Sequence, residues 1–260
     1  MTEPLRVISL GWGVQSFALA AMSALGELPP VDAAIHADTT HERSETYAFA
    51  ARWTPWLEER GVRVVTVKPY RRAEDAVSAS GELMLPAYSA WPNGNPSGML
   101  RRQCTSDWKI MPIRRWVREH RAGRRTEMLL GITLDEWTRM RTSDVQYIAH
   151  RYPFMDFAQP WRRGKAMQWL QDNGLEIPVK SGCVFCPYHD HATWREIKTG
   201  SNGDWQKAID IDRLIRHKRN GYVCYLHRSL QPLDQVDLRN EQDHGQLELW
   251  GEECTGNCFL

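Results

Sequence analysis

The sequence lacks any long apolar run, because none of its apolar stretches approaches the roughly 20 residues that a membrane-spanning helix needs. It also lacks the pattern of an export signal, since Met1-Thr-Glu-Pro-Leu-Arg6 has an acidic residue where an apolar region is required. In the absence of an export signal, the six cysteines of the 260 residues favour free thiols or metal ligands over a disulfide framework. We therefore expect a cytoplasmic protein without a membrane partner.

The chain also lacks an overall excess of charge, with a formal net charge of +1, so total charge indicates no class of partner. One segment departs from this balance. Residues 101–125 contain nine basic and two acidic residues, together with Trp108 and Trp116. Such a stripe fits either a polynucleotide backbone with stacked bases or an ordinary solvated helix face.

Short apolar strands alternate with helical segments over the first 150 residues. The predicted strands lie at about 6–10, 31–38, 62–67 and 127–133, and the predicted helices at about 14–25, 44–60 and 106–120. This alternation predicts an α/β fold with a doubly wound, mainly parallel, Rossmann-like sheet. We expect a nucleotide-binding domain at residues 1–150 and a smaller, mostly helical region at 151–260. Residues 69–102 show no periodicity and are predicted to be an irregular lid or insert.

A glycine-containing turn follows the first strand. Gly11-Trp-Gly13 precedes an Ala-rich helix with Ser16 in its first turn. Such a turn can hold a phosphate with backbone N–H groups, or can simply pack a strand closely against a helix. The second strand ends at the polar cluster Asp38-Thr-Thr-His-Glu42. Ligands of parallel sheets bind at the carboxyl ends of strands, so both loops are expected to face one crevice.

Cys183-Val-Phe-Cys186 is a C-x-x-C element that, with Cys104, supplies three thiols. Three thiolates can hold an iron–sulfur cluster with one iron open to another ligand. Zinc is equally compatible, since His189 or His191 would complete a tetrahedron, and a thiol pair with an unrelated buried Cys104 is the third alternative. Near the C-terminus, Cys254 and Cys258 fit a reactive thiol carrier or an exposed tail.

Several elements in order resemble the phosphoadenosine phosphosulfate reductase family within the PP-loop ATP pyrophosphatases. Gly11-Trp-Gly-Val-Gln-Ser16 is similar to the family's SGGxDS loop, and Asp38-Thr-Thr-His-Glu42 to its D-T-G element. Arg102-Gln-Cys-Thr105 with Lys109 and Pro112 resembles the first cysteine element. The three remaining elements are Gly131–Arg139, Ser181–Pro187 and the C-terminal Glu253-Cys-Thr-Gly256, which is similar to the reductases' E-C-G.

Two departures shape what the resemblance implies. Val14 and Gln15 replace a variable residue and an Asp, and Gln103 precedes Cys104 where the cluster-binding reductases have a second Cys. Three cluster ligands instead resemble the tRNA-thiolating members. The resemblance thus implies an enzyme, an ATP-dependent iron–sulfur sulfurtransferase that adenylates a substrate oxygen and replaces it with sulfur. The implied substrate is a nucleotide or nucleic acid.

The resemblance also implies the site. It places ATP and Mg²⁺ at the cofactor-binding residues Ser9, Gly11, Gly13, Gln15, Ser16, Asp38, Thr39, Gly131 and Glu136. It implies catalytic roles for Cys254, Cys258, Arg139 and Lys109 and a 4Fe-4S cluster on Cys104, Cys183 and Cys186, with zinc as the alternative. Arg141 is a further candidate for neutralising phosphate charge. A sulfur donor or thiol reductant and a homodimer are also expected.

Two other functions remain open from the sequence. One is a sulfonucleotide reductase that releases sulfite, with Cys254 as the attacking thiol. The other is an inactive, metal-bearing protein that binds nucleic acid, which the altered loop at Val14 and Gln15 would favour.

Overall fold

The structure, a computed structural model, describes residues 3–69 and 83–239. The strands are β1 (Leu5–Ser9), β2 (Ala33–Ala37), β3 (Val64–Val67), β4 (Tyr88–Ala90), β5 (Pro96–Met99), β6 (Thr126–Leu129), β7 (Ile148–Arg151) and β8 (Val223–Tyr225). The α-helices are α1 (Val14–Ala24), α2 (Ser44–Glu58), α3 (Met111–His120), α4 (Pro153–Asp156), α5 (Arg163–Asp172), α6 (His191–Thr199) and α7 (Asp204–Ile215). A π-helix spans Thr105–Ile110, and 3₁₀ helices span Leu134–Arg139 and Leu233–Gln235.

The described residues group into two compact units, each made of several chain segments. The first comprises the described parts of Met1–Thr39, Glu45–Tyr70 and Trp108–Ser181. The second comprises those of Thr40–Ser44, Arg71–Asp107 and Gly182–Leu260. These units interleave along the chain, whereas the sequence-based division at residue 150 assumed two continuous halves.

The first unit contains a five-stranded parallel sheet in the order β3-β2-β1-β6-β7. Alternate residues of each central strand enter different apolar cores, because successive side chains of a strand point to opposite faces. Ile8 packs in the core that contains α1, α2 and α5, whereas Val7 packs in the core that contains α3. Helices therefore cover both faces, and the predicted doubly wound α/β class is confirmed.

The second unit contains a three-stranded antiparallel sheet in the order β5-β4-β8. β4 and β5 form a hairpin within residues 69–102, which the sequence predicted to be irregular. That prediction was wrong for residues 88–99 because β5 is an exposed edge strand containing Pro96 and Gly98. Both residue types are tolerated at a sheet edge but weaken the sequence pattern of a strand.

Two further elements differ from the sequence-based prediction. β7 was not predicted, since its residues His150 and Arg151 interrupt the apolar pattern on a partly exposed edge strand. The predicted helix at 106–120 starts as a π-helix and becomes α-helical at Met111. Pro112 has no N–H to donate to the carbonyl of residue 108, so a regular α-helical hydrogen-bond ladder is interrupted there.

Within the described ranges, no helix has both the length and the apolar character required to cross a membrane.

Candidate functional site

The strand order places a topological switch point at β1. The chain continues from β1 to β2 on one side, while β6 pairs with β1 on the other. In open parallel sheets the loops that leave the strands on either side of such a point diverge and form a crevice for ligands. The loops after β1 and β6 therefore form the candidate site of the first unit.

The loop after β1 leads directly into α1 through Gly13, the N-cap residue. Gly13 has an extended backbone (φ −91°, ψ 171°), and no side-chain hydrogen bond caps the helix. The first turn of α1 also contains no acidic residue. The partial positive charge at the start of a helix favours an anion under these conditions.

The Ser16 hydroxyl orders this loop from within. The backbone N–H of Gly11 donates to Ser16 Oγ at 3.1 Å, and Ser16 Oγ donates to the carbonyl of Gly13 at 3.2 Å. Trp12, between the two glycines, has φ +56° and is almost wholly buried. The buried Trp12 ring anchors the turn, and the two Ser16 hydrogen bonds fix its backbone. The loop is therefore preorganised.

The loop after β6 packs backbone to backbone on the start of α1. A β carbon placed on Gly131 would lie 2.8 Å from the carbonyl carbon of Gln15 and 2.9 Å from the nitrogen of Ser16. Only a glycine permits this approach without a shift of one of the two loops. Three of the predicted site residues, Gly131, Gln15 and Ser16, are thus brought together.

Ser181 is a residue of this site that sequence reasoning did not include. A β carbon on Gly13 would lie 2.9 Å from Ser181 Oγ, and one on Gly11 would lie 4.0 Å from it. Ser181 is the first residue of the second cysteine element, so its sequence position alone associates it with the thiols. The structure instead brings its hydroxyl to the glycine loop of the first unit.

The 3₁₀ helix Leu134–Arg139 supplies the charged side chains beside the loop. Gln15 Nε2 donates to Glu136 Oε2 at 3.4 Å, and Glu136 Oε1 pairs with Arg139 at 2.7 Å. Gln15 therefore contacts a carboxylate of the segment that follows β6. The chain Gln15–Glu136–Arg139 links the predicted cofactor-binding and catalytic residues.

The other predicted basic residues are placed differently. Arg141 donates to the carbonyls of Thr138 and Met140, so its guanidinium group is directed at its own segment. Lys109 lies on the π-helix and is partly buried.

Asp38 and Thr39 follow β2, beside β1 in the sheet. Asp38 Oδ1 accepts a hydrogen bond from the Tyr47 hydroxyl at 2.7 Å, and Thr39 is fully buried. Ser9, the last residue of β1, pairs in register with Ile35 of β2. These contacts hold the end of β2 at the same edge of the sheet as the glycine loop, as the strand-end prediction requires.

The C-x-x-C element lies in the second unit as a hydrogen-bonded turn. The N–H of Cys186 donates to the carbonyl of Cys183 at 2.9 Å, and Cys183 forms an antiparallel bridge with Glu42. His189 Nε2 is 2.8 Å from the carbonyl of Cys183, and since a carbonyl only accepts, this nitrogen carries the hydrogen. For a zinc ion, His189 would have only Nδ1 to offer.

Tyr188 follows the C-x-x-C element by two residues and has a raised pKa. Burial raises the pKa of Tyr188, the nearby Cys186 and Cys104 raise it further, and the Arg102 guanidinium opposes them. Arg102 lies 5.1 Å from the centre of the tyrosine ring. Cys104, Cys183 and Cys186 all lie in the second unit, although Cys104 is far from the other two in sequence.

The fit of these residues to a metal or cluster is incomplete. Among residues 3–69 and 83–239, no group of three or more His, Cys, Asp or Glu side chains is arranged to hold a metal ion. The 4Fe-4S cluster and its zinc alternative thus stay predictions from the sequence. Cys254 and Cys258 lie outside the described residues.

The two tryptophans of the basic stripe, residues 101–125, are buried. Trp108 is 1% exposed and Trp116 is 8% exposed, so neither offers a ring face to a base, contrary to the stacking considered from the sequence. Several of its arginines contact neighbours of the first unit. Arg114 pairs with Asp144, and Arg124 lies 3.4 Å from Asp32.

No protein-family model matches the chain, and none of the curated proteins matches it. Among solved structures, the chain is similar to phosphoadenylyl-sulfate (PAPS) reductase from Candida auris in a phosphate complex. The two share 13% sequence identity with a TM-score of 0.48, over 70% of this chain and 82% of that chain. A similarity of this size identifies neither a family nor an activity, so the function is inferred from the residues themselves.

Proposed function

We propose that the first unit binds ATP at the switch point, and that the protein uses it to adenylate a substrate oxygen before sulfur replaces that oxygen. One observation carries the proposal. The loop after β6 packs through Gly131 onto the backbone of Gln15 and Ser16, beside a helix start that no side chain caps. This is the arrangement in which oriented N–H groups bind a polyphosphate.

In this proposal, different residues bind different parts of the nucleotide. The backbone of Gly11 to Ser16 holds the phosphates with Mg²⁺, and Asp38 with Thr39 lies toward the ribose. Arg139 neutralises charge that develops on the α-phosphate, as preorganised cations do in phosphoryl transfer. Glu136 holds Arg139 in place at 2.7 Å.

The proposed reaction has two steps. A substrate oxygen attacks the α-phosphorus of ATP, the bond to the β-phosphate breaks, and pyrophosphate leaves. Hydrosulfide then attacks the carbon or phosphorus that bears the adenylated oxygen, and AMP departs with that oxygen. The sulfur supplies the electron pair of the new bond and loses its proton to solvent, while AMP takes the electron pair of the broken bond, so no oxidant or reductant is consumed.

A sulfonucleotide reductase is the second candidate, favoured by the C-terminal sequence Glu253-Cys-Thr-Gly256. There a Cys254 thiolate would attack the sulfur of the sulfonucleotide, and a second thiol would release sulfite from the resulting S-sulfocysteine. This reaction needs no ATP and forms no pyrophosphate.

Product analysis separates these functions. The protein is incubated with ATP, Mg²⁺, sulfide and an oligonucleotide or nucleoside acceptor, and pyrophosphate, AMP and acceptor mass are measured. The proposal predicts equal amounts of pyrophosphate and AMP and an acceptor whose mass rises by the difference between sulfur and oxygen. Sulfite formed from a sulfonucleotide and thioredoxin, without pyrophosphate from ATP, would identify the reductase. Salt-sensitive nucleic-acid binding without either product would leave the non-catalytic alternative.

A further inference from the structure

The antiparallel register of the second unit brings two aromatic residues together. Ala90 of β4 lies opposite Val223 of β8, so the next residues outward, Trp91 and Tyr222, are cross-strand neighbours. Their ring centres are 4.8 Å apart with an interplanar angle of 35°. The sheet thus presents a pair of rings where β4 enters the turn of the β4–β5 hairpin.

These rings are accessible and carry cations beside them. Trp91 is 46% exposed, which is unusual for a tryptophan, and Tyr222 is partly exposed. The guanidinium of Arg219 lies 5.1 Å from the centre of the Tyr222 ring, and Lys218 is exposed next to it in sequence. We name Trp91, Tyr222, Arg219 and Lys218 the Trp91 patch.

The charge of the surrounding chain has one sign. The described stretches 83–106 and 213–233 contain no Asp or Glu and seven Lys or Arg residues: Arg101, Arg102, Arg213, Arg216, Lys218, Arg219 and Arg228. Arg213 and Arg216 pair with Asp234 and Asp212, which lie outside these stretches. Arg219 lies beside the exposed rings and exposed Lys218 precedes it in sequence, so an anionic ligand with flat apolar groups is favoured there.

We propose that the Trp91 patch binds a single-stranded nucleic acid, with a base stacked on the Trp91–Tyr222 pair and the phosphates on Arg219 and Lys218. Single-strand binding surfaces combine these two features, because every base has a face to stack and every linkage has a charge to neutralise. A duplex is disfavoured, since its bases are already stacked on one another. The inference rests on the proposed function only in identifying the acceptor as a single-stranded polynucleotide.

Binding is tested on the whole protein without ATP or Mg²⁺. The probes are fluorescein-labelled 12-mers of oligo(dT) and oligo(U) and a labelled 12-base-pair duplex. Their binding is measured by fluorescence anisotropy at a series of salt concentrations. Trp91→Ala is expected to weaken single-strand binding about tenfold, whereas Trp91→Phe keeps most of it. Arg219→Gln is expected to lower the slope of log Kd against log salt by about 0.7.

Arg60→Gln is the matched control. Arg60 lies 4.3 Å from the centre of the Trp56 ring in the first unit, so this variant removes the same charge from a comparable cation–aromatic pair. It is expected to leave the affinity for both 12-mers unchanged. Preference for oligo(U) over oligo(dT), or the reverse, distinguishes RNA from DNA as the ligand.

The proposal is overturned if neither 12-mer binds, if the duplex binds as tightly as the single strands, or if Trp91→Ala binds like the unchanged protein. Equal weakening by Arg60→Gln and Arg219→Gln would also overturn it, because binding would then follow total charge. These outcomes are independent of the proposed catalysis. Single-strand binding without pyrophosphate release would contradict only the proposed function, and pyrophosphate release with a nucleoside but no 12-mer binding would contradict only this inference.

Discussion

Gly131 lies directly on the backbone of Gln15, with room for no larger residue. A β carbon at residue 131 would approach the Gln15 carbonyl carbon to 2.8 Å, which ordinary β carbons do not do. The two loops that leave the switch point are therefore fixed against each other, and the start of α1 is held where a phosphate would bind. This contact orders the loop at which the proposed phosphate site lies.

Gly131→Ala is expected to weaken the binding of a non-hydrolysable ATP analogue at least tenfold. The added methyl group must displace the Gln15–Ser16 backbone, which costs about 1–3 kcal/mol of unfolding free energy as overpacking does. Gly164→Ala is the control, since a β carbon there meets no atom within 4 Å and lies in α5. Calorimetric titration and denaturant unfolding measure the two effects, and equal analogue affinity in both variants would contradict the placement of the nucleotide.

Arg139→Gln is expected to lower the rate of pyrophosphate release about 10- to 100-fold. The loss comes from charge stabilisation of the α-phosphate, and stability should change by less than about 1 kcal/mol because the pair with Glu136 is partly exposed. Arg162→Gln removes a similar pair, with Asp135 of the same 3₁₀ helix at 3.1 Å, and should keep the rate. A normal rate for Arg139→Gln would remove this residue from the catalytic set.

Asp204→Ala is expected to lower the free energy of unfolding by about 3 kcal/mol. Asp204 is 1% exposed and accepts hydrogen bonds from the N–H and hydroxyl of Ser44, at 2.7 and 2.8 Å, so its loss leaves two partly buried donors unpaired. Ser44→Ala should cost about 1 kcal/mol, and the double variant less than the sum, because the two share one interaction. Exposed Asp210 of the same helix is the control, and additive effects in urea unfolding would show that the pair is not coupled.

Stability is expected to fall as pH drops from about 6.5 to 4. Burial, together with the neighbouring His191, whose ring centre is 5.0 Å away, and Arg228, lowers the pKa of His227 to about 4. The unfolded chain then binds a proton that the folded chain does not, so acid favours unfolding over this range, by up to about 3 kcal/mol.

His227 Nδ1 accepts the N–H of Ser229 at 3.2 Å, which requires an unprotonated nitrogen and fits this direction. Urea unfolding across the pH range should therefore show a shallower slope for His227→Gln than for the unchanged protein. Other groups titrate in both proteins, so their contribution cancels in the difference. Parallel slopes would contradict the assignment.

Anaerobically purified protein is expected to contain iron and sulfide, with Cys104→Ala losing them. The sequence predicts Cys104, Cys183 and Cys186 as the ligands, and all three lie in the second unit. Cys224→Ala is the matched control, because Cys224 is fully buried on β8, opposite Ser89 of β4. Zinc without iron would replace the cluster with the alternative metal, and unchanged iron in Cys104→Ala would exclude that thiol as a ligand.

The sequence predicted the parallel sheet and most of its elements because these depend on local patterns. β1, α1 and β2 follow from apolar periodicity and lie within two residues of their predicted bounds at most ends. The strand-end position of Asp38 and the glycine turn at Gly11 follow from the same patterns. The hairpin of β4 and β5 could not be predicted in this way, since an edge strand with Pro96 needs its partners to define it.

What the sequence determined by itself is the set of chemical groups: a glycine turn before a helix, polar strand ends and thiols with the spacing of metal ligands. Only the tertiary structure decided which of them meet. Gly131 reaches Gln15, Ser181 reaches Gly13 and Trp91 reaches Tyr222 through sheet order and strand register, which no local pattern encodes. The physical reason is that periodicity fixes the face on which a side chain lies, whereas its long-range neighbour depends on how the elements pack.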